Sequence, residues 1–276
     1  MKTAILCGGL GTRLREETEF RPKPMIVVGD KPILWHIMRI YSSYGFKEFI
    51  LCLGYKGEAI KNYFLEYDLL YSDFTVRLGT KEVTRHSVFH EESDWQVTLA
   101  ETGLQTMTGG RVKRIEKYID GEDFMMTYGD GLANIDVRRL LKFHKEKGKI
   151  ATVTAVRPIA RFGELAVNGD LAESFLEKPQ IDSGWINGGF FVFNKKIFDY
   201  LDEDCVLERE PMETLARKKQ LAVYKHTGYW RCMDTFRDLE ALNHDWVSGH
   251  PGWVQSPGGN VKTPSVSSFR RERKTK

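Results

Sequence analysis

The 276-residue chain has few cysteines and no long hydrophobic run. Its four cysteines lie far apart without a CxxC pair, which argues against a zinc ribbon or a disulfide framework and predicts a reducing, cytoplasmic location. No stretch approaches the roughly 18 consecutive apolar residues of a membrane span. The apolar run at the amino terminus ends at Cys7, too short for an export signal. We therefore expect no membrane partner.

The net charge is also small, at +3, and it is unevenly distributed. Residues 261–276 carry six basic side chains and one acidic one, a local charge of +5 that leaves −2 for the rest of the chain. A body this close to neutral lacks the charge signature of a nucleic-acid-binding protein, so no nucleic-acid partner is expected. Residues 249–276 are predicted to form a basic, flexible tail, and RNA binding by this tail stays open as a side activity.

Several well-known catalytic and nucleotide-binding motifs are missing from the sequence. There is no GxSxG nucleophile motif and no GK[ST] triplet of a Walker A loop. The first glycine-rich loop has Leu14 where a dinucleotide fingerprint needs a third glycine, and Leu53-Gly54-Tyr55 stands where an acidic residue would be expected. The pattern therefore points away from serine hydrolases, P-loop enzymes and NAD-dependent dehydrogenases.

The hydrophobic pattern of the first half indicates an α/β fold. Short apolar runs alternate with amphipathic segments of helical period, which is typical of a mixed, mostly parallel central sheet with helices on both faces. The predicted strands are 4–7, 48–53, 95–100, 124–128 and 150–156, and the predicted helices are 32–45, 57–67, 109–118 and 136–147. Residues 68–94 show no clear period, so no element is predicted there.

The pattern of the second half of the sequence predicts a smaller structural part, rich in β-strands, that packs on the part formed by the first half. A turn at Asn168-Gly169-Asp170 joins two runs into a hairpin. We place the packed body at 1–248, with a first part over about 1–154 and a second over about 155–248. The elements predicted in the second part are strands 165–167, 171–176, 188–193, 221–225 and 229–232, helices from about Lys195 and Glu208, and a helix over 235–247.

The loop after the first strand, GGLGTRL at residues 8–14, is the most informative stretch. Phosphate oxygens need several backbone N–H donors at close range, and glycine lets the main chain approach that near. Arg13 adds a cation, and Lys23 is held between Pro22 and Pro24. These features favour phosphate binding, and the alternative is a surface turn with a solvated arginine and lysine.

Two aspartates are candidate ligands of a divalent cation. Asp130 follows a predicted central strand, at the sheet edge where open α/β sheets bind ligands. A carboxylate facing a polyphosphate requires a cation between them, and Mg²⁺ suits such a site. Asp234 precedes the last predicted helix and has an equally good alternative role as its N-cap. Asp130 has the alternative role of a turn residue.

Two further segments carry weaker signals for sugar binding. Lys178 precedes Pro179, as Lys23 precedes Pro24, and Asn187 with Gly188 and Gly189 offers an amide beside backbone that a ligand can approach closely.

Taken in order, the motifs GGLGTRL, RPKPM, GDKPILWHIM, YGDG, EKP, WINGGFFV and MDT resemble those of sugar-1-phosphate nucleotidyltransferases over residues 1–247. Residues 102–111, WINGGFF and the segment 230–235 resemble the branch of that family that uses CTP. The resemblance implies a Rossmann-like sheet, a nucleotide-binding part at 1–154 and a sugar-binding part at 155–248. It also implies that CTP and glucose 1-phosphate react to give CDP-glucose and pyrophosphate.

The resemblance assigns roles to individual residues. It implies that Asp130 and Asp234 bind Mg²⁺, and that Arg13, Lys23 and Lys178 act in catalysis. The sugar phosphate would contact Glu177, Lys178, Asn187 and Gly188. The nucleotide would contact Leu6, Cys7, Gly8, Gly9, Leu10, Gly11, Thr12, Arg13, Lys23, Thr106, Arg111 and Gly129.

A homo-oligomer is implied by the same resemblance, because related enzymes use segments like 70–94 for subunit contacts. Two alternatives to the CTP reaction stay open. One is the same transfer from UTP or dTTP, since base choice depends on a few loop contacts. The other is a sugar-nucleotide sensor without catalytic activity, although such a sensor would be expected to lack a metal carboxylate or a phosphate-binding lysine.

Overall fold

The computed structural model describes residues 1–86, 91–158, 164–168, 171–176 and 184–254. Within these ranges the chain forms a seven-stranded central sheet and four two-stranded sheets. The strands are β1 (Lys2–Leu6), β2 (Val27–Val28), β3 (Lys31–Pro32), β4 (Glu48–Leu53), β5 (Asp73–Arg77), β6 (Glu82–His86), β7 (Gln96–Glu101), β8 (Asp123–Tyr128), β9 (Gly131–Ala133), β10 (Ala151–Val156), β11 (Glu164–Asn168), β12 (Leu171–Leu176), β13 (Ile186–Asn194), β14 (Leu221–Lys225) and β15 (Trp230–Cys232).

Helices connect these strands and cover both faces of the central sheet. The α-helices are α1 (Arg15–Thr18), α2 (Ile33–Ser43), α3 (Gly57–Leu65), α4 (Tyr67–Tyr71), α5 (Thr108–Arg114), α6 (Val137–Lys147), α7 (Glu210–Arg217) and α8 (Phe236–Val247). Short 3-10 helices span Thr12–Leu14, Lys23–Met25, Glu116–Tyr118 and Lys195–Tyr200. None of the helices in the described part of the chain has the length and hydrophobicity needed to span a bilayer.

The central sheet has the strand order β14-β10-β13-β8-β1-β4-β7. β1 is an interior strand that runs parallel to both of its neighbours, β4 and β8, and the pairs β4–β7 and β10–β14 are parallel as well. β13 is antiparallel to both of its neighbours, β8 and β10. The predicted mixed, mostly parallel sheet is therefore confirmed. Strands β13 and β14 from the second half extend the sheet that the first half begins.

Side chains that alternate along the strands build a separate hydrophobic core on each face of the sheet. Ile5 points into the core formed with α2, α6 and α8, whereas Ala4 and Leu6 point into the core formed with α5 and α7. β4 divides in the same way, with Leu51 on the first face and Cys52 on the second. Burial on both faces explains why these strands appear in the sequence as continuous apolar runs.

The segment that sequence patterns left unassigned, 68–94, contains all of α4 except its first residue, and the hairpin β5–β6. All ten residues of this hairpin are exposed. Because neither face is buried, the two strands lack the continuous apolar run that marks the buried strands of the central sheet. The segment 109–118 also differs from expectation: α5 ends at Arg114, and the chain tightens into the 3-10 helix Glu116–Tyr118.

The carboxyl ends of β1 and β8 meet at one edge of the sheet, and a second ribbon brings the end of the fold to the same place. β15 pairs with β9, which follows directly after β8. The N–H of Met233 then donates to the carbonyl of Asp130 over 2.8 Å. Residues from the beginning, middle and end of the chain thus converge on one cleft.

Candidate active site

The cleft at this edge has a volume of about 980 Å³. Most of the residues predicted to bind nucleotide, metal or sugar phosphate line it. These are Leu6, Cys7, Gly8, Gly9, Gly11, Lys23, Thr106, Arg111, Gly129, Asp130, Asn187, Gly188 and Asp234. Leu10 and Thr12 are exposed outside this lining. Glu177 and Lys178 lie outside the described residues, so their predicted roles stay predictions.

The floor of the glycine-rich loop rests on one buried guanidinium group. Arg111 is only 5% exposed, and a Cβ atom at Gly8 would lie 2.1 Å from its Nη1. Both terminal nitrogens of Arg111 donate hydrogen bonds to oxygens of the surrounding loops, namely Leu53 O (2.9 Å), Thr102 Oγ1 (2.8 Å), Gly103 O (2.7 Å), Gly8 O (3.0 Å) and Leu104 O (3.2 Å). Arg111 therefore holds the Gly8 carbonyl of the glycine-rich loop beside the end of β4 and the segment that follows β7.

Lys23 forms the centre of the charged part of the cleft. Its ammonium donates to Asp130 Oδ2 over 2.6 Å and to Asp234 Oδ1 over 2.8 Å, and its side chain is only 14% exposed. Burial alone would lower the pKa of Lys23, but the two carboxylates raise it above its ordinary value. Arg13 reaches the same cluster from the exposed rim, with Nη1 3.1 Å from Asp234 Oδ2.

Asp234 lies in the cleft and does not cap the last helix. The N-cap of α8 is Thr235, which accepts a hydrogen bond from the N–H of Asp238 in a capping box. The carboxylate of Asp238 in turn accepts from the N–H groups of Asp234 and Thr235. The carboxylate of Asp234 is consequently directed to Lys23 and Arg13, and the capping alternative for Asp234 is wrong.

The donor set at this point fits a divalent metal ion. The carboxylate oxygens of Asp130 and Asp234 lie within 4.8 Å of each other, and a cationic group already sits between them. The Sγ of Cys232 lies within the same distance of both carboxylates, a neighbour that sequence patterns did not indicate. Hard oxygen ligands suit Mg²⁺, whereas a thiol does not, so the two aspartates are the residues that would hold that ion.

The opposite wall of the cleft is built from β8 and β13. Asn187 accepts a hydrogen bond from the N–H of Gly189 over 2.9 Å, and its Nδ2 donates to the hydroxyl of Tyr128 over 3.2 Å. The indole N–H of Trp230 donates to the carbonyl of Gly188 over 2.8 Å, which joins β15 to the start of β13. Sequence reasoning missed Tyr128 and Trp230. The aromatic residue before Gly129 was the available signal for the first.

With this geometry established, comparison with known proteins identifies the chain. The family model described as nucleotidyl transferase matches residues 2–247. The chain belongs to the nucleotidyl transferase family. The predictions of family, fold class and enzyme class are thus confirmed. Enzymes of this family generally use a divalent metal ion, which agrees with the paired aspartates.

Relatives from several bacteria match between 72% and 92% of the chain. A probable glucose-1-phosphate cytidylyltransferase of Bacillus subtilis (strain 168) is 47% identical over 255 residues, or 92% of this chain and 99% of the relative. The glucose-1-phosphate cytidylyltransferase of Salmonella typhimurium is 48% identical over 256 residues, covering 92% and 98%. A D-glycero-alpha-D-manno-heptose 1-phosphate guanylyltransferase of Campylobacter jejuni is 34% identical over 72% of this chain and 78% of the relative.

Solved structures share the fold at lower identity. HddC from Yersinia pseudotuberculosis has a TM-score of 0.63 and 23% identity over 89% of this chain and 99% of that one. UTP-bound UGPase from Acinetobacter baumannii has a TM-score of 0.65 and 17% identity over 91% and 95%. At these identities the likeness concerns the fold alone.

Proposed function

We propose that this nucleotidyl transferase moves a cytidylyl group from CTP to α-D-glucose 1-phosphate and releases pyrophosphate. One structural observation carries the proposal: a largely buried lysine held between two carboxylates, beside a glycine-rich loop at the carboxyl edge of the sheet. The choice of CTP and glucose 1-phosphate is supported by relatives of that activity at 47–48% identity over 92% of the chain.

The reaction brings two anions together, and the cleft supplies the opposing charge. A phosphate oxygen of glucose 1-phosphate attacks the α-phosphorus of CTP in line, the new P–O bond forms, and the bond to pyrophosphate breaks. The attacking oxygen is already negative, so no general base and no covalent enzyme intermediate is required. Catalysis of this kind depends on positioning and on charge neutralisation.

The chain's own residues divide this task between them. Backbone N–H groups of the loop 8–13 face the phosphates, and Arg111 holds that loop in place through the Gly8 carbonyl. Lys23 and Arg13 present positive charge beside the α- and β-phosphates. Lys178 is proposed to bring a third cation to the sugar phosphate, with Glu177, Asn187 and Gly188 contacting the hexose.

Mg²⁺ is the proposed metal, with Asp130 and Asp234 as its ligands. When bound, it would neutralise charge on the triphosphate and the leaving pyrophosphate. Because Lys23 contacts both aspartates, its ammonium keeps their carboxylates close together before any metal is present. That arrangement reduces the repulsion that two adjacent carboxylates would otherwise cause.

Substrate profiling tests the proposal directly. Purified protein with Mg²⁺ and glucose 1-phosphate is assayed for pyrophosphate release with CTP, UTP, dTTP, GTP and ATP in turn. CTP should give a kcat/KM at least about tenfold above every other nucleotide. Equal or higher values with UTP or dTTP would overturn the choice of base. Tight binding of CDP-glucose without any pyrophosphate release would favour a sensor instead.

Self-association is part of the proposal and rests on the exposed hairpin. Phe74 and Val76 lie on one face of β5, and Val83 lies opposite Val76 on β6, so three apolar side chains share an uncovered surface. Val76→Glu should lower the molar mass measured by light scattering, whereas Thr75→Glu on the other face should not. An unchanged mass in Val76→Glu would remove this surface from the interface.

A cytoplasmic location is also proposed. It is supported by the free cysteines, two of which, Cys7 and Cys52, are buried in the core.

A further inference from the structure

We propose that Glu208 is a positioning residue that fixes the orientation of the Asn187 carboxamide through Tyr128, and so sets the affinity for the sugar phosphate. The inference rests on the proposed function, in which Asn187 contacts the hexose. Glu208 lies in the loop before α7, 21 positions beyond Asn187 in the chain, and belongs to no motif that the sequence analysis singled out.

A chain of hydrogen bonds connects the two residues. The Tyr128 hydroxyl donates to Glu208 Oε1, and the hydroxyl of Thr108 donates to Glu208 Oε2 over 2.6 Å. Thr108 also accepts from the N–H of Leu207 over 3.0 Å, which ties the carboxylate to its own loop. Both oxygens of Glu208 are therefore engaged, and its position is determined by α5 as well as by β8.

The direction of these hydrogen bonds determines which atoms Asn187 offers to a ligand. A tyrosine hydroxyl has one proton, and Tyr128 gives it to Glu208. Its oxygen can then only accept from Asn187, which selects the amide nitrogen on that side and the amide oxygen toward Gly189.

The backbone shows that this wall is built around the Tyr128 ring. Gly189 has φ +81°, and a Cβ atom there would lie 2.7 Å from Tyr128 Cδ2. The ring also meets Phe191 edge-on, with centroids 5.8 Å apart. Tyr128 thus has little freedom except the rotation of its hydroxyl, and Glu208 removes that freedom. Without Glu208 the hydroxyl proton is free to turn toward Asn187, where it meets the amide N–H group that the Gly189 bond keeps on that side. The hydrogen bond between Tyr128 and Asn187 is then lost, and the carboxamide is no longer held at both ends for a sugar hydroxyl.

Steady-state kinetics of Tyr128→Phe and Glu208→Ala test this proposal. Each variant should raise KM for glucose 1-phosphate about tenfold, the effect of one hydrogen bond of about 1.4 kcal/mol, and leave KM for CTP within twofold. The double variant should be no worse than either single variant, because both act through one chain. Glu208→Gln keeps an acceptor for Tyr128 and should restore KM to within about threefold of wild type.

Glu210→Ala, an exposed carboxylate in the first turn of α7, serves as the matched control and should leave both KM values unchanged. Equal rises in both KM values, additive effects in the double variant, or no rescue by Glu208→Gln would overturn the inference. Absence of turnover in the wild-type protein with any nucleotide would instead contradict the proposed function. If Glu208→Ala does not fold, Tyr128→Phe and Glu208→Gln still decide the question.

Discussion

Lys23 is largely buried and His36 is fully buried, but the surroundings of these two basic side chains favour opposite protonation states. The ammonium of Lys23 touches two carboxylates, which raise its pKa against the effect of burial. His36 is 1% exposed, hydrogen-bonds the carbonyl of Val28 and packs against the rings of Trp246 and Trp253. Burial lowers the pKa of His36 to about 4, so this residue is neutral near pH 7.

This difference in protonation state distinguishes the candidate site at the edge of the sheet from the core. In the core, His36 is buried in its neutral form, and its ring hydrogen-bonds the carbonyl of Val28. At the cleft, Lys23 and Arg111 keep their charges, and oxygen atoms surround both. Burying a charge is unfavourable, so we expect a buried charge where it acts on a ligand or fixes a loop that contacts one. Four changes test this distinction.

Asp130→Asn should have the largest effect. The substitution keeps the shape but removes one of the two charges that Lys23 and a divalent ion require, so kcat/KM for pyrophosphate release should fall on the order of 10²- to 10³-fold. Asp120→Asn, at a side chain that is 77% exposed and paired with Lys2, is the control and should retain full activity. A loss below tenfold in Asp130→Asn would mean that this carboxylate serves the fold and not the reaction.

Arg111→Met should destabilise the protein by about 3 kcal/mol, because it removes a buried, charged donor and leaves several loop oxygens without a partner. Urea unfolding at pH 7.5 measures the free energy of unfolding. The exposed Arg217, which pairs with Glu213 one turn away, is the matched control, and Arg217→Met should change stability by less than about 0.5 kcal/mol. Equal effects at both positions would show that Arg111 does not support the loop.

The free energy of unfolding should decrease as the pH is lowered from 6.5 to about 4, because the pKa of His36 differs between the unfolded and the folded chain. The unfolded chain takes up a proton at the ordinary pKa of 6.5, whereas the folded chain resists it until about pH 4. Between these values the free energy of unfolding should drop by roughly 3 kcal/mol as pH decreases. Urea unfolding at pH 6.5, 5.5 and 4.5 measures the slope. His36→Gln keeps a donor for Val28 and should reduce the slope, and an unchanged slope would assign it to other groups.

Arg13→Met should have the smallest effect of the four. Arg13 lies at the rim with a side chain that is 72% exposed, and water screens its contact with Asp234. We expect KM for CTP to rise about tenfold with little change in the urea midpoint. Raising the salt concentration should weaken wild-type CTP binding more than that of the variant. A loss as large as that of Asp130→Asn would place Arg13 on the reacting phosphates instead of at the entrance.

The parts of the fold that the sequence predicted are those with a repeating pattern of burial. β1, β4 and β8 are apolar because both of their faces are covered, and every residue of β10 is buried. Helix α6 begins at its predicted cap, Asp136. The hairpin β5–β6 has no buried face and was not predicted. The break after α5 was missed as well, because its residues continue a helical pattern while the chain tightens into a 3-10 turn.

The residues of the candidate site differ in the same way in how well the sequence predicted them. The glycine-rich loop and Asp130 were predicted because each follows a buried strand, a relation that is local in sequence. Asp234 had two possible roles until the pairing of β9 with β15 and the Thr235 cap decided between them. Glu208 gave no signal, since its partners Tyr128 and Thr108 lie 80 and 100 positions earlier in the chain.

The amino-acid sequence by itself determined the alternation of strands and helices, the glycine-rich loop after β1 and the family to which the chain belongs. These depend on hydrophobic period and on residues that are close together along the chain. Only the tertiary structure decided that Lys23 bridges two aspartates, that Arg111 binds loop oxygens, and that Glu208 reaches Asn187 through Tyr128. Each of these contacts joins distant segments, so its geometry exists only after the sheet and the ribbon β9–β15 have formed.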